Sequence, residues 1–339
     1  MNVTMEEVAR RAGVSKTTVS RIINGIPNSA SPSTIQRVTK VIEQLGYVPN
    51  TLAASLKSFE TKTVGIIVGD IENPFFGVVI KGIANTLRDA GYYVILADSG
   101  YSFKNERELA LVFIERQIDA IILAPSGPSP SKSLEKAHER GIPIVLIDNN
   151  YADFDVDFVG VDNFNASYQA SRYLIELGHK DLAIITGLQQ RFSSSERSNG
   201  FLSALEDCHI QLNPLYFKES DYSVEGGYNR TKELIQLDKP PTAIFISNNF
   251  MTVGALRAFH EAGVQIPDDI SIIGFDDMYW YTITNPPLTA IDQPAYDLGK
   301  VAAERVLLRL RGNQEIPPER IELATQLKIR GSTTSPSRR

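Results

Sequence analysis

A small three-helix head followed by two α/β subdomains of doubly wound parallel sheet is the fold class this sequence predicts. Three observations predict it. Between residues 64 and 276, seven short apolar runs without polar alternation are separated by stretches of helical periodicity, the pattern of parallel strands covered on both faces. The first 49 residues carry helical patterns only, broken by Gly and Pro. Charge divides along the same line: residues 1–62 hold eight Lys/Arg against four acids, a net of +4, which leaves −10 for the rest of a chain whose total is −6. A basic head that meets phosphates and an acidic body with another task fit that asymmetry, as does a chance fluctuation of surface charge.

The head is read first. Thr4 followed by Glu7 reads as a capping box opening a helix over Met5–Ala12, with Met5, Val8, Ala9 and Ala12 on its apolar face. Gly13-Val14-Ser15 breaks it, and Ser15 caps a second helix over Lys16–Asn24 in which Val19, Ile22 and Ile23 face inward. Two short helices joined by a Gly turn make a helix-turn-helix, here about residues 4–24. Ser31 and Pro32 start a third helix, Pro32–Leu45, with Ile35, Val38, Val41, Ile42 and Leu45 inward. In a helix-turn-helix the second helix enters the major groove by its N-terminal end. The residues left over from packing, Lys16, Thr17, Ser20 and Arg21, then face the bases, and the Arg21 fork suits guanine O6 and N7. The same pattern also describes a helical bundle with a solvated polar face.

The head sequence, VTMEEVARRAGVSKTTVSRIINGIPNSASPSTIQRVTKVIEQLGYVPNTLAASLKS, resembles the DNA-binding head of the lactose/galactose repressor (LacI/GalR) family. The matching signature is V-A-x-x-A-G-V-S-x-x-T-V-S-R-x-[IV]-N, then G-Y-x-P-N and A-x-x-L. The resemblance implies a head over 1–49, a hinge helix and linker over 50–61, and further DNA contacts from Thr4, Ser15, Thr18, Asn24, Tyr47, Leu56 and Lys57. Leu56 matches the family's wedge leucine, which enters a base step from the minor groove; an ordinary buried leucine is the alternative. Nine residues, Asn50–Ser58, are too few to hold a helix alone in water, so the hinge would fold only as a pair over DNA, one from each subunit.

Beyond Thr61 the apolar runs are VGIIVGD, YVILAD, AIILAP, PIVLID, LAIITG, TAIFISN and ISIIGFD. Leu-Gly-His-Lys before LAIITG and the stretch P-x-D-I-S-I-I-G-F-D-D extend the resemblance to the family's effector-binding core, which is built like a periplasmic sugar-binding protein. The expected division is 62–162 plus about 292–320 for the first subdomain and 163–291 plus about 321–331 for the second, with 332–339 a disordered tail. No apolar heptads follow Gly331, so a dimer rather than a tetramer is expected, with helix 75–90 a candidate interface.

Open parallel sheets bind ligands beyond the carboxyl ends of their strands. Those ends are Asp70 to Phe76, Asp98, Pro125, Asp148-Asn149, Gly187 to Arg197, Asn248-Asn249 and Asp276-Asp277. Matching the family by position brings forward Phe75, Phe76, Asp148, Arg191, Ser193, Arg197, Tyr222, Asn249 and Asp276 as the effector site. Aromatic rings cover sugar CH faces and paired polar groups hold hydroxyls. Phe75 and Phe76 also read as core. Two arginines in one pocket imply an acidic effector, a sugar acid or keto-sugar acid of the 2-keto-3-deoxy-gluconate type, and Asn249 stands where the family usually has Asp.

Other chemistry is not legible. There is no G-x-S-x-G, H-E-x-x-H, G-x-x-x-x-G-K-[ST] or G-x-G-x-x-G, the four histidines are scattered, and one cysteine, Cys208, excludes a disulfide framework. Asp153, Asp155 and Asp157 begin like a calcium loop, but position six is Phe158; they read as the solvated face of an extended crossover. No enzyme activity, cofactor or metal is expected. No apolar run approaches the ~18 residues that span a bilayer, and MNVTMEEVARR lacks a secretory pattern, so a cytoplasmic protein without a membrane partner is expected. The partners expected are double-stranded DNA with a pseudo-palindromic site, a sugar or sugar-acid effector and a second copy of the chain. Control by a phosphocarrier protein is the alternative.

Overall fold

The structure, a computed structural model, describes residues 3–23, 25–47, 61–312 and 316–336. Contacts divide the chain into two units, Met1–Thr61 and Lys62–Arg339.

In the head, α1 (Met5–Ala12), α2 (Lys16–Ile23) and α3 (Pro32–Leu45) follow the expected order. Thr4 Oγ1 accepts the Glu7 N–H at 3.3 Å, while the Glu7 carboxylate turns to Arg10 and Arg11 rather than closing a reciprocal box. Gly13 ends α1 at φ +62°, and its N–H returns to the carbonyls of Ala9 and Arg10. Ser15 Oγ accepts the Thr18 N–H at 3.0 Å and so caps α2. Val8, Val19 and Val38 are fully buried at the centre, each contributing about 1.5–3 kcal/mol. One packing expectation fails. Ile35 is 38% exposed because the half-buried Val41 and Ile42 already face the small core from α3. Tyr47 is 8% exposed and packed in that core. Asn24, Leu56, Lys57 and the hinge lie outside the described residues.

The body holds two six-stranded sheets. Among the described residues the first contains β1 (Thr63–Val68), β2 (Tyr93–Asp98), β3 (Ala120–Leu123), β4 (Ile144–Ile147), β5 (Asp157–Val161) and β11 (Arg320–Leu323), ordered β11-β5-β4-β3-β1-β2 and all parallel. The second contains β6 (Leu182–Thr186), β7 (Phe217–Glu219), β8 (Ala243–Ile246), β9 (Ser271–Phe275), β10 (Thr289–Asp292) and β12 (Gln326–Lys328), ordered β12-β10-β9-β8-β6-β7 with β12 antiparallel. Helices α4 (Pro74–Asp89), α5 (Phe103–Glu115), α6 (Lys132–Glu139) and α11 (Ala295–Leu310) go with the first sheet. Helices α7 (Asn163–Glu176), α8 (Phe192–Asp207), α9 (Val224–Ile235) and α10 (Asn249–Ala262) go with the second. Gly82 and Gly299 let α4 and α11 touch backbone to backbone: a Cβ on Gly82 would lie 2.2 Å from the Tyr296 carbonyl, and one on Gly299 1.9 Å from that of Val79.

Several boundaries and environments differ from expectation. The crossover back to the second subdomain falls after Leu323, not at about 320, because Arg320–Leu323 pairs with Phe158–Val161. The tail is anchored rather than disordered at its start: buried Ser332 Oγ accepts the Thr289 N–H and donates to the Ile272 carbonyl, both at 2.8 Å, and the Thr334 carbonyl bonds to His179 Nε2 at 2.8 Å. YVILAD is not covered on both faces. As the edge strand β2 it leaves Tyr93, Ile95 and Leu96 exposed. Asp157 is not solvated either. It is 2% exposed, bound by Arg305 at 2.7 Å and Arg309 at 2.8 Å. Burial opposes its ionisation, but the two guanidiniums hold its carboxyl below the usual range.

Candidate functional site

The carboxyl ends of both sheets meet in one cleft. Its walls in the first subdomain come from Asn73, Phe75, Phe76, Tyr101, Asp148 and Asn149; the second subdomain supplies Arg191, Ser193, Arg197, Tyr222, Asn248 and Asp276, and Gln293 lies on the connection after β10. Eight of the nine expected effector residues are therefore brought together. The ninth, Asn249, is 1% exposed but does not line the space; it bonds instead to Asn73. Phe75 and Phe76 are both walls and core, 5% and 2% exposed, with their rings edge to face at 5.3 Å.

Four of the lining residues hold left-handed backbone without being glycine: Tyr101 at φ +54°, Asp148 at +61°, Tyr222 at +68° and Asp276 at +70°. Such conformations cost about 1–3 kcal/mol each and gather where function needs a fixed direction. Two of them are structural counterparts. Tyr101 follows the second strand of the first sheet by three residues, and Tyr222 follows the second strand of the other sheet by the same distance. Each ring lies over the glycine that ends the first strand: a Cβ would fall 2.0 Å from the Tyr101 ring at Gly69 and 2.2 Å from the Tyr222 ring at Gly187. The two rings stack across the cleft at 5.5 Å. Arg191 covers both, its guanidinium carbon 4.6 Å from the Tyr101 centroid and 5.1 Å from that of Tyr222, and it donates to the Tyr101 carbonyl.

Arg197 is held on three sides. Its Nε donates to Asn163 Oδ1 and its Nη1 to the Ser247 carbonyl, both at 2.7 Å, while the guanidinium lies 3.5 Å over the Phe275 ring. Asp276 accepts from Gln293 and is buried; burial pushes its pKa up against the pull of Arg197. Burial likewise pushes Asp148 up to about 6, opposed by Arg197 and Arg191 and assisted by Asp276. Two carboxylates thus face two guanidiniums. The enclosed space is about 30 Å³, far below the ~300–1,000 Å³ of a ligand pocket, so the cleft is shut on itself.

The sequence reading put Asn73, Asn149 and Asn248 at strand ends without giving them a role, and it missed Tyr101 and Gln293. Glycine after the first strand of each sheet was the available signal for Tyr101, because a ring needs a missing Cβ beneath it.

On the head, Lys16, Thr17 and Arg21 are exposed on α2. Lys16 Nζ binds Glu6 Oε1 at 2.7 Å, which draws the Glu6 carboxyl below its usual range. Ser20 is half-buried, and Thr18 Oγ1 bonds to Ser15 at 2.9 Å. Thr4 is occupied as the α1 cap.

The description "Bacterial regulatory proteins, lacI family" fits residues 4–50, and "Periplasmic binding protein-like domain" fits residues 171–333. Catabolite control protein A of Priestia megaterium is 34% identical over 334 residues, covering 98% of this chain and 100% of its own length. The chain belongs to the lacI family of bacterial regulatory proteins. A second lacI-family relative, the transcriptional repressor CytR of Escherichia coli K12, is 34% identical over 97% of this chain and 96% of its own. In fold the chain matches the lac repressor dimer bound to operator and an anti-inducer at a TM-score of 0.86, with 24% identity, over 98% of this chain and 100% of that one. The regulator CelR in complex with cellobiose matches at a TM-score of 0.74, with 29% identity, over 98% and 100%. As a lacI-family member the protein is a DNA-binding transcriptional repressor and not an enzyme. Among the described residues no helix is long and apolar enough to cross a membrane.

Proposed function

We propose that this repressor controls a carbohydrate-catabolism operon as a homodimer gated by a small sugar in the cleft. One observation carries the reading: eight family-matched polar and aromatic residues converge at the carboxyl ends of both sheets, three of them (Asp148, Tyr222 and Asp276) on left-handed backbone, in a chain whose α2 presents Lys16, Thr17 and Arg21. Two heads related by a two-fold axis require inverted half-sites, hence a pseudo-palindromic operator. A ligand that parts or re-closes the cleft shifts the subdomains, and such coupling is worth ~1–3 kcal/mol, or ~5–150-fold in operator affinity.

A sugar acid was the effector expected from two arginines. Asp148 and Asp276 balance that charge while ionised, and Arg191 is already engaged by two rings. A neutral polyhydroxylated sugar suits the cleft better, and the fold neighbour CelR carries cellobiose, a neutral sugar. An acidic sugar fits only with Asp148 protonated. Thermal shift with neutral sugars, sugar acids and sugar phosphates tests this: stabilisation of RT ln(1 + [L]/Kd), ~2.7 kcal/mol at a hundredfold excess, is expected with a neutral sugar. No shift with any of them, together with binding to a phosphorylated carrier protein, would favour the phosphocarrier reading instead.

For the dimer, β2 is an edge strand among the described residues and exposes Tyr93, Ile95 and Leu96, and α4 exposes Val78, each 42–74% exposed. An open apolar edge strand invites a partner. This extends the candidate interface from helix 75–90 to the strand beside it.

A further inference from the structure

We propose that Asn249 is a positioning residue that latches the closed cleft by donating its side-chain amide to Asn73 across the two subdomains. The proposal rests on the reading of the cleft as the effector site.

Asn249 is the first residue of α10 in the second subdomain, and Asn73 is the N-cap of α4 in the first. Asn249 Nδ2 lies 2.8 Å from Asn73 Oδ1, with the two residues 1% and 3% exposed. Polarity is fixed from the Asn73 side. Its Oδ1 also accepts the Phe75 N–H at 3.0 Å, so turning the amide round would uncap α4. Whatever meets Asn73 across the cleft must therefore donate. Asn249 can: its amide donates to Asn73 and more weakly to Met278 Sδ at 4.0 Å on its own subdomain, and its Oδ1 has no hydrogen-bond partner, so the Asn73 link is the one bond this side chain makes across the cleft. An aspartate of the same shape would set acceptor against acceptor in a buried site already holding the Asp276 carboxylate, to which the Asn249 backbone N–H bonds. The groups facing this point are Asp276 and, across the cleft, Asp148, with Arg197 as the nearby cation. Asn249 thus senses closure rather than ligand: the link exists only while the two helix N-termini are together.

The test needs no effector. Hydrogen exchange of the full chain is followed at residues 73–79 and 191–196 at pH 7.5 in wild type, Asn249→Asp, Asn249→Ala and Asn73→Ser. Asn249→Asp keeps the volume, replaces the donor with an acceptor and adds a carboxylate beside Asp276. Exchange in both segments is expected to rise at least about fivefold in Asn249→Asp, since a buried acceptor loses its donor, and less in Asn249→Ala. Asn73→Ser still caps α4 but is too short to cross, and it is expected to match Asn249→Ala; it decides the matter alone should Asn249→Asp fail to fold. Unchanged exchange in all three variants would overturn the proposal. So would Asn249→Ala equal to or faster than Asn249→Asp, the mark of simple packing. Either outcome is independent of whether a sugar is ever found to bind, so the latch and the effector reading fail separately.

Discussion

Asn149 Oδ1 accepts two hydrogen bonds from Ser193, one from its backbone N–H at 3.0 Å and one from its hydroxyl at 2.8 Å. The two residues belong to opposite subdomains. Helix α8 starts after Arg191, which makes no side-chain cap, so the acceptor its first turn needs comes from across the cleft. Closing the cleft therefore completes a helix end. Replacing Asn149 with Ala is expected to cost about 0.5–2 kcal/mol in urea unfolding, the worth of an N-cap, and to speed amide exchange at Ser193. Unchanged stability and exchange would mean water serves that end equally well.

The cleft carboxylate Asp148 predicts a pH dependence. Its folded pKa of about 6 lies above the ~3.9 of an unfolded aspartate. The folded state keeps a proton that the unfolded state has lost, so Asp148 stabilises most below about pH 4, and that contribution declines as pH rises to about 6. Asn in its place removes the penalty. Asp148→Asn is expected to be more stable than wild type by about 1–3 kcal/mol at pH 7.5 and equal to it near pH 4, read from denaturation at both pH values.

Operator reading is predicted to depend on Arg21. Arg21→Ala is expected to weaken binding to a cognate inverted repeat by about 1–3 kcal/mol while leaving non-specific affinity nearly unchanged. Lys16 carries a point charge without the bidentate fork of Arg21, so Lys16→Ala is expected to lower both and flatten the salt dependence. Competition gel shifts at two salt concentrations separate the patterns, and equal losses for both variants would remove the base-reading role of Arg21.

Assembly is expected to fail when the open edge is charged. Tyr93 and Ile95 lie on one side of β2, two residues apart. The double change Tyr93→Asp and Ile95→Asp is expected to sediment as a monomer with native circular dichroism and to lose at least about tenfold in operator affinity, because one head reaches one half-site. A dimer that persists would place the interface elsewhere.

Much was legible in the chain. Helices Met5–Ala12 and Pro32–Leu45 fall where capping residues and Gly or Pro punctuation put them, because those signals act within three or four residues. Strand ends were legible from where apolar runs stop, which puts Asp148 and Asp276 at the cleft, while Arg197, inside α8, was reached only through the family resemblance. Asp157 was misread because its two arginine partners stand about 150 positions later. Gln293 went unseen for a similar reason: it follows β10, and the Asp276 it bonds follows β9.

The amino-acid order alone determined the head helices, seven of the strands with the residue types that end them, and which unit is basic, since these depend on neighbours along the chain; β5, β7, β10, β11 and β12 were not among those runs. Tertiary structure decided what those ends touch: that two tyrosines stack over two glycines, that two carboxylates offset two guanidiniums, and that Asn249 turns to Asn73 instead of the cavity. Those outcomes depend on angles and distances between segments far apart in sequence, and no local preference encodes them.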